Sequence, residues 1–435
     1  MDAPGRLTVA LGLLLVGACS GPAQTPDAAA SSPAGPAAPS ASTATPGQAE
    51  SPAPDRSGTP TPDPGPAEQA RLDQRLRDAA WADDVELARR LIRRGADVNA
   101  KDDTVQSAYL ISTSEGHLRL LDLTLRNGAR VNDKDSFNGT GLIRAADRGH
   151  AQVVGRLVRA GIALDHVNNL GWTALHEAII LGDGGPRYVE TVRVLVAAGA
   201  DVGVPSARDG VTPVQHARSR GYDQMAALLE RAAGREVPRA RASDVLLEAA
   251  ASGDADRSAL ALRAGADLEA RDERRRTPLL RAATGDRVAV ARLLVAMGAD
   301  PDALDDQHDT PWLVTGVTGS VPMLEALLPA GPDLTIRNRF GGVSVIPASE
   351  RGHVDYVRRV VRTGIDVDHV NDLGWTAMLE AVILGDGGPA HREIVRILLR
   401  AGADQTIADR NGVTPLEHAE ASGQTGVARI LREAR

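Results

Sequence analysis

The chain has 435 residues, 43% of them hydrophobic but only 2% aromatic, so its core must be built from Ala, Leu, Val and Ile, which disfavours a large aromatic-centred enzyme core. Its net charge is −8, from 57 acidic and 49 basic residues. Both signs are interspersed and no basic stripe is available for a phosphate backbone, which argues against nucleic acid as a partner.

The N-terminus reads as targeting sequence, not fold. Arg6 precedes the apolar run LTVALGLLLVGA (7–18), which is shorter than the ~20 residues a membrane-spanning helix needs. It has the form of a secretory h-region. It ends in VGAC (16–19), which resembles the bacterial lipoprotein signature and implies cleavage after residue 18 and lipidation of Cys19, the single cysteine of the chain. Two or three acyl chains would anchor the protein firmly. Residues 19–66 are rich in Pro, Ala, Ser and Thr with no apolar periodicity, the composition of a disordered tether. The expectation is an exported protein, held by lipid alone and facing the cell surface or envelope.

From residue 67 the chain repeats. Capping tetrapeptides begin at Gln74, Ser107, Thr140, Thr173, Thr212, Asp244, Thr277, Thr310, Val343, Thr376 and Thr414, with a dominant spacing of 33. Thr at these anchors suits a helix N-cap, and Pro213, Pro278, Pro311 and Pro415 fall at the first helical position. Gly95, Gly128, Gly161, Gly265, Gly298 and Gly331 each lie 21 residues after their anchor, where a left-handed residue would end an outer helix. With words such as TALHEA (173–178), TPLLRAATGD (277–286) and RLLVAMGADPD (292–302), this pattern resembles the ankyrin repeat. The resemblance implies an all-α solenoid of about eleven helix–turn–helix units with short finger hairpins. Register divides it into module A (67–233), a linking repeat (234–272) and module B (273–435). A continuous stack of these units would be a curved rod on the order of 110 Å long. Pro347 falls where an inner helix should run, so that helix should be distorted or late-starting, and Tyr109 and Trp312 read as core.

One sentence is written twice. Residues 165–185, DHVNNLGWTALHEAIILGDGG, and 368–388, DHVNDLGWTAMLEAVILGDGG, agree at 17 of 21 positions. The neighbouring segments 107–139 and 310–342 agree at only 7 of 33. Both copies carry a five-residue insertion beginning DGG in the turn to the outer helix. Under the resemblance the twin stretch spans finger tip, inner helix and turn, the surfaces through which such proteins bind. The candidate partner-binding residues are therefore His166, Trp172, Glu177 and Asp183, and their equivalents His369, Trp375, Glu380 and Asp386. Trp is a common interface anchor.

Catalytic chemistry finds no support. The ten histidines fall at repeat or finger positions, without an H-E-x-x-H pair or a Cys/His ligand cluster. GDGG lacks the lysine of a phosphate loop. The expectation is a monomeric, cofactor-free scaffold for a protein partner, with two equivalent sites suggesting a dimeric or repetitive one. An accessory or protective factor for an exported enzyme, and a binder of a small ligand or cell-wall glycan, remain as alternatives.

Overall fold

A computed structural model describes residues 65–434. The signal segment, Cys19 and the linker up to residue 64 lie outside the described residues. The anchors start helices for the reason the sequence suggests. The side-chain oxygens of Ser107, Thr212, Thr277, Thr310, Thr376 and Thr414 each accept a backbone N–H three residues on. The six glycines expected to end outer helices all have positive φ, between 70° and 99°. Two anchors are misplaced. Gln74 lies inside the first helix, which starts at Pro66, and Asp244 lies inside a helix that starts at Ala242 after a short 3-10 turn.

The described residues form 22 α-helices paired in chain order. The first five pairs are α1 (Pro66–Trp81) and α2 (Val85–Arg93), α3 (Ala108–Ser114) and α4 (Leu118–Arg126), α5 (Gly141–Asp147) and α6 (Ala151–Arg159), α7 (Ala174–Ile180) and α8 (Pro186–Ala197), α9 (Pro213–Ser219) and α10 (Asp223–Ala233). Six more follow: α11 (Ala242–Ser252) and α12 (Ala255–Arg263), α13 (Pro278–Thr284) and α14 (Val288–Met297), α15 (Pro311–Thr318) and α16 (Val321–Leu327), α17 (Val345–Glu350) and α18 (Val354–Val360), α19 (Ala377–Ile383) and α20 (Pro389–Arg400), α21 (Pro415–Ala421) and α22 (Thr425–Glu433). Helix α17 does start late, one residue further from its anchor than its neighbours, and puts Pro347 in its first turn, where a missing N–H leaves no bond unmade. Tyr109 and Trp312 are fully buried, as expected of core.

The fingers are not paired strands. Among the described residues there is one isolated bridge, Lys134 to Thr140. Six finger turns are closed instead by a side chain: Asp102, Asp135, Asp272, Asp305, Asn338 and Asp409 accept the backbone N–H groups two and four positions on.

The curved rod is overturned. Inner helices touch in an unbroken run from α1 to α9 and again from α11 to α21, but the run stops between α9 and α11. There the finger is missing, replaced by the tight segment 234–241 with Arg235 at φ 51°. The pair α11 and α12 stacks on the helices that follow it. The second stack then folds back so that its outer helices α12 and α14 pack on α8 and α6 of the first. Gly155 in α6 makes this possible, since a Cβ there would sit 2.2 Å from the carbonyl oxygen of Ala296 in α14. Arg193 meets Asp256 at 2.6 Å, Gln152 donates to the carbonyl of Arg292 at 2.9 Å, and Arg263 donates to that of Ala200 at 2.7 Å. Over the packed region the order of layers is inner, outer, outer, inner. In that region the two rows of inner helices lie on opposite sides; α7 is in the first row, and α19 continues the second row beyond the packed helices.

Candidate functional site

In each twin stretch the finger turn is closed by asparagine. Asn168 Oδ1 accepts from the N–H groups of Leu170 and Trp172 at 3.0 and 3.1 Å, and Asn371 does the same for Leu373 and Trp375, both at 3.0 Å. Unlike aspartate, asparagine retains a donor. Asn168 Nδ2 donates to Glu177 Oε1 at 2.5 Å, and Asn371 Nδ2 to Glu380 Oε1 at 2.7 Å. These glutamates, on the inner helices α7 and α19, are only 4% and 6% exposed. Burial pushes both carboxyls up to about 7. The asparagine bond pulls each down, while Asp147 and Asp135 push Glu177 further up and Glu350 does so for Glu380.

The other candidates settle around this pair. His166 donates through Nε2 to the carbonyl of Asn138, and His369 to that of Gly341, both at 2.7 Å, tying each finger to the one before. Trp172 and Trp375 are half-buried at the base of the finger. Asp183 and Asp386 are exposed, each accepting the N–H two residues on at 2.8 Å. Asp386 also bonds His391 Nδ1 at 2.8 Å, and the N–H of Gly388, with His391, holds its carboxyl below the usual range.

The insertions do less than expected to extend this surface. Pro186 and Pro389 begin outer helices of 12 residues, against 9 in α4 and α6, so most of the extra chain lengthens a helix. The remaining turn is pinned by the next unit: Tyr222 donates to the carbonyl of Gly182 at 2.9 Å, and Gln424 to that of Gly385 at 3.1 Å.

Sequence reasoning missed what covers the site. The chain has two phenylalanines, Phe137 and Phe340, 203 positions apart like the twin stretches themselves. Both sit at finger tips, 62% and 54% exposed. Their carbonyls accept from Asn169 and Asp372 in the next finger at 2.9 and 3.0 Å, which places each phenylalanine beside a twin stretch. Val167 and Leu181 are also exposed in the first copy, and Val370, Leu373 and Leu384 in the second. Seven of the ten exposed large apolar side chains among the described residues thus belong to two equivalent patches. Phe137, Leu170 and Leu181 border a hollow of about 250 Å³ whose polar lining includes Asp135, Arg144, Asp147, Asn168 and Glu177. The signal was available: two rare residues in the same register, inside segments that otherwise diverged.

Among the described residues no group of three His, Cys, Asp or Glu side chains could hold a metal ion, and no helix is long and apolar enough to cross a membrane.

The family model described as ankyrin repeats in three copies matches residues 76–206, 318–409 and 345–435, and that for a single ankyrin repeat matches 274–306. A protein of Escherichia coli (strain K12) named for its ankyrin repeats, YahD, is 44% identical over 110 residues, which is 25% of this chain and 55% of that protein. The chain thus spans about half the length of that relative. A Rickettsia felis protein also named for ankyrin repeats is 34% identical over 59 residues, 14% of this chain and 89% of its own. Of solved structures, an ankyrin repeat domain from Acinetobacter baumannii AYE is 42% identical with a TM-score of 0.42, covering 43% of this chain and 96% of its own. The ankyrin repeat protein EF0377 is 36% identical with a TM-score of 0.43, covering 44% and 98%.

Proposed function

The chain belongs to the ankyrin-repeat family, and from that premise we propose that it is a membrane-anchored, extracytoplasmic scaffold that binds a protein partner through its two twin surfaces. Ankyrin repeats are in general protein-interaction modules, and proteins built from them are typically non-enzymatic. The anchor reading is supported by Arg6, the apolar run 7–18 and the lone Cys19. The observation that carries the docking reading is the exposure of both phenylalanines of the chain on two equivalent patches. Large exposed apolar patches mark interaction sites more often than isolated apolar residues do.

The test is crosslinking of the full chain in its own cell envelope, beside a variant carrying Phe137→Ser, Leu181→Ser, Phe340→Ser and Leu384→Ser. A protein captured by the wild type and lost in the variant supports the reading. Equal capture by both removes the twin surfaces from the function. Replacing Cys19 by Ser should release the chain from the membrane fraction; retention there would sink the lipid anchor.

A further inference from the structure

Resting on that reading of the twin surfaces as docking sites, we infer that each twin surface receives one basic side chain of the partner at its buried glutamate, set beside an apolar residue that packs at the exposed phenylalanine, and that one chain bridges two copies of the partner.

The chemistry of the occupant follows from what each glutamate leaves unpaired. Glu177 is nine-tenths buried and lines the hollow, and its Oε1 is taken by Asn168 while its Oε2 has no protein partner. Glu380 stands in the same way toward Asn371. Asp147 lies near Glu177, and Glu350 near Glu380, each adding negative charge. The local cations are engaged or missing. Arg144 is held through its terminal nitrogens by Asp135 at 2.9 Å and by Gln106 at 2.9 Å, its buried Nε alone being unpartnered, and Arg148 is held by Glu115 at 3.2 Å. In the second copy Pro347 replaces Arg144 and Asn338 replaces Asp135, leaving exposed Arg351 as the equivalent of Arg148, while Arg339 is turned to Asp309 at 3.7 Å and stacks on one face of Phe340 at 4.7 Å. A buried carboxylate without a counter-charge is costly, and an incoming guanidinium or ammonium group relieves it. An anion would be repelled, and an apolar side chain alone would leave the carboxylate desolvated. The volume of about 250 Å³ suits one side chain, not a domain. The phenylalanine and leucines at the rim supply apolar area around the ion pair, the arrangement in which interface arginines contribute most.

The bridging follows from the fold. Because α6 and α8 pack on α14 and α12, the row of inner helices that holds α7 and the row that α19 continues are separated by two layers of outer helices in the packed region.

The experiment uses the full chain and a naive library of displayed random peptides. Enriched peptides are expected to carry Arg or Lys next to Leu, Phe, Tyr or Trp. Fused to a carrier protein, an enriched peptide should bind at two carriers per chain by light scattering. The pair Glu177→Gln with Glu380→Gln keeps an acceptor for each asparagine, and should weaken binding tenfold or more with circular dichroism unchanged. Enrichment of acidic or uncharged peptides, no enrichment at all, or one carrier per chain would overturn the inference. If the envelope partner still depends on Phe137 and Phe340 while the peptides fail, the docking reading stands and only the basic occupant and the bridging fall.

Discussion

Asn168 and Glu177 are nine positions apart and joined at 2.5 Å, and the same spacing joins Asp135 to Arg144, Asp272 to Arg281 and Asp409 to His418. In every case the first residue closes its finger turn by accepting two backbone N–H groups, a task asparagine and aspartate perform equally. In these fingers the second atom of that side chain meets a matching group on the inner helix: an aspartate oxygen meets Arg or His, and the asparagine amide meets an acceptor. Asp102, Asp305 and Asn338 close their turns in the same way but have Ile111, Val314 and Pro347 nine positions on, and make no such pair.

Asn168→Asp should keep the finger turn and destabilise the fold by roughly 1–3 kcal/mol, because it sets a second carboxylate against buried Glu177 and removes its donor. Adding Glu177→Arg should recover much of the loss by recreating the arrangement of Asp135 and Arg144. Denaturant midpoints of the two variants decide the matter. If the double variant is no more stable than the single one, the pair is not the unit described here.

The raised carboxyls give a signed pH dependence. Glu177 and Glu380 titrate at about 7 in the folded chain, against an ordinary value of 4.5. The folded state thus holds more protons than the unfolded state between these values. Stability from these groups is fully present below about 4.5 and falls as pH rises through about 7, by at most about 3 kcal/mol each. The difference in stability between wild type and the Glu177→Gln, Glu380→Gln variant should shift toward the variant from pH 5 to pH 8. Asp102, Asp272 and Asp409, held low mainly by backbone N–H groups, act in the opposite sense at acid pH and cancel in that difference. A pH-independent difference would contradict the burial argument.

The apolar rim separates binding from folding. Phe137→Ser with Phe340→Ser should change stability by no more than about 1 kcal/mol, since both rings are more than half exposed and only Phe340 has a stacked neighbour, Arg339 at 4.7 Å, yet abolish partner capture. A large drop in melting temperature would mean the rings pack on the neighbouring finger and would weaken the docking assignment.

Much of this architecture was legible because a repeat states the same physical requirement many times. Thr at the cap and Gly in the left-handed position recur at fixed intervals, so register across the chain identifies the unit. The fold-back was harder to read, because it depends on contacts between helices far apart in sequence. Its trace is in α14, VAVARLLVAM, which has a single charged residue and is apolar nearly all round. A helix of that kind is covered on more than one side, whereas an outer helix of an open solenoid keeps a polar face. At the site, Glu177 and Glu380 were legible as candidates within the twin stretch, but their asparagine partners were not, because finger asparagine looks like a turn residue until its second atom is placed. Phe137 and Phe340 escaped notice because they precede the conserved-looking sentence instead of lying in it.

The duplicated outer helices offer the sharpest test of the fold-back. Gly155 in α6 corresponds, 203 positions on, to Arg358 in α18. Gly155 is covered by α14, with the carbonyl of Ala296 where a side chain would go. Arg358 reaches Asp355 at 2.5 Å and Glu393 at 3.8 Å, its side chain 44% exposed. Gly155→Val must push against backbone, which cannot yield as a flexible side chain can, at a cost of about 1–3 kcal/mol or more. Each stack has its own inner-helix contacts, so the expected result is separation of the stacks with helix content retained. Small-angle scattering should show a larger radius of gyration for Gly155→Val and no change for Arg358→Val, which removes a charge from an uncovered face. An unchanged profile for both variants would mean the stacks do not depend on this contact, and the fold-back would lose its main support.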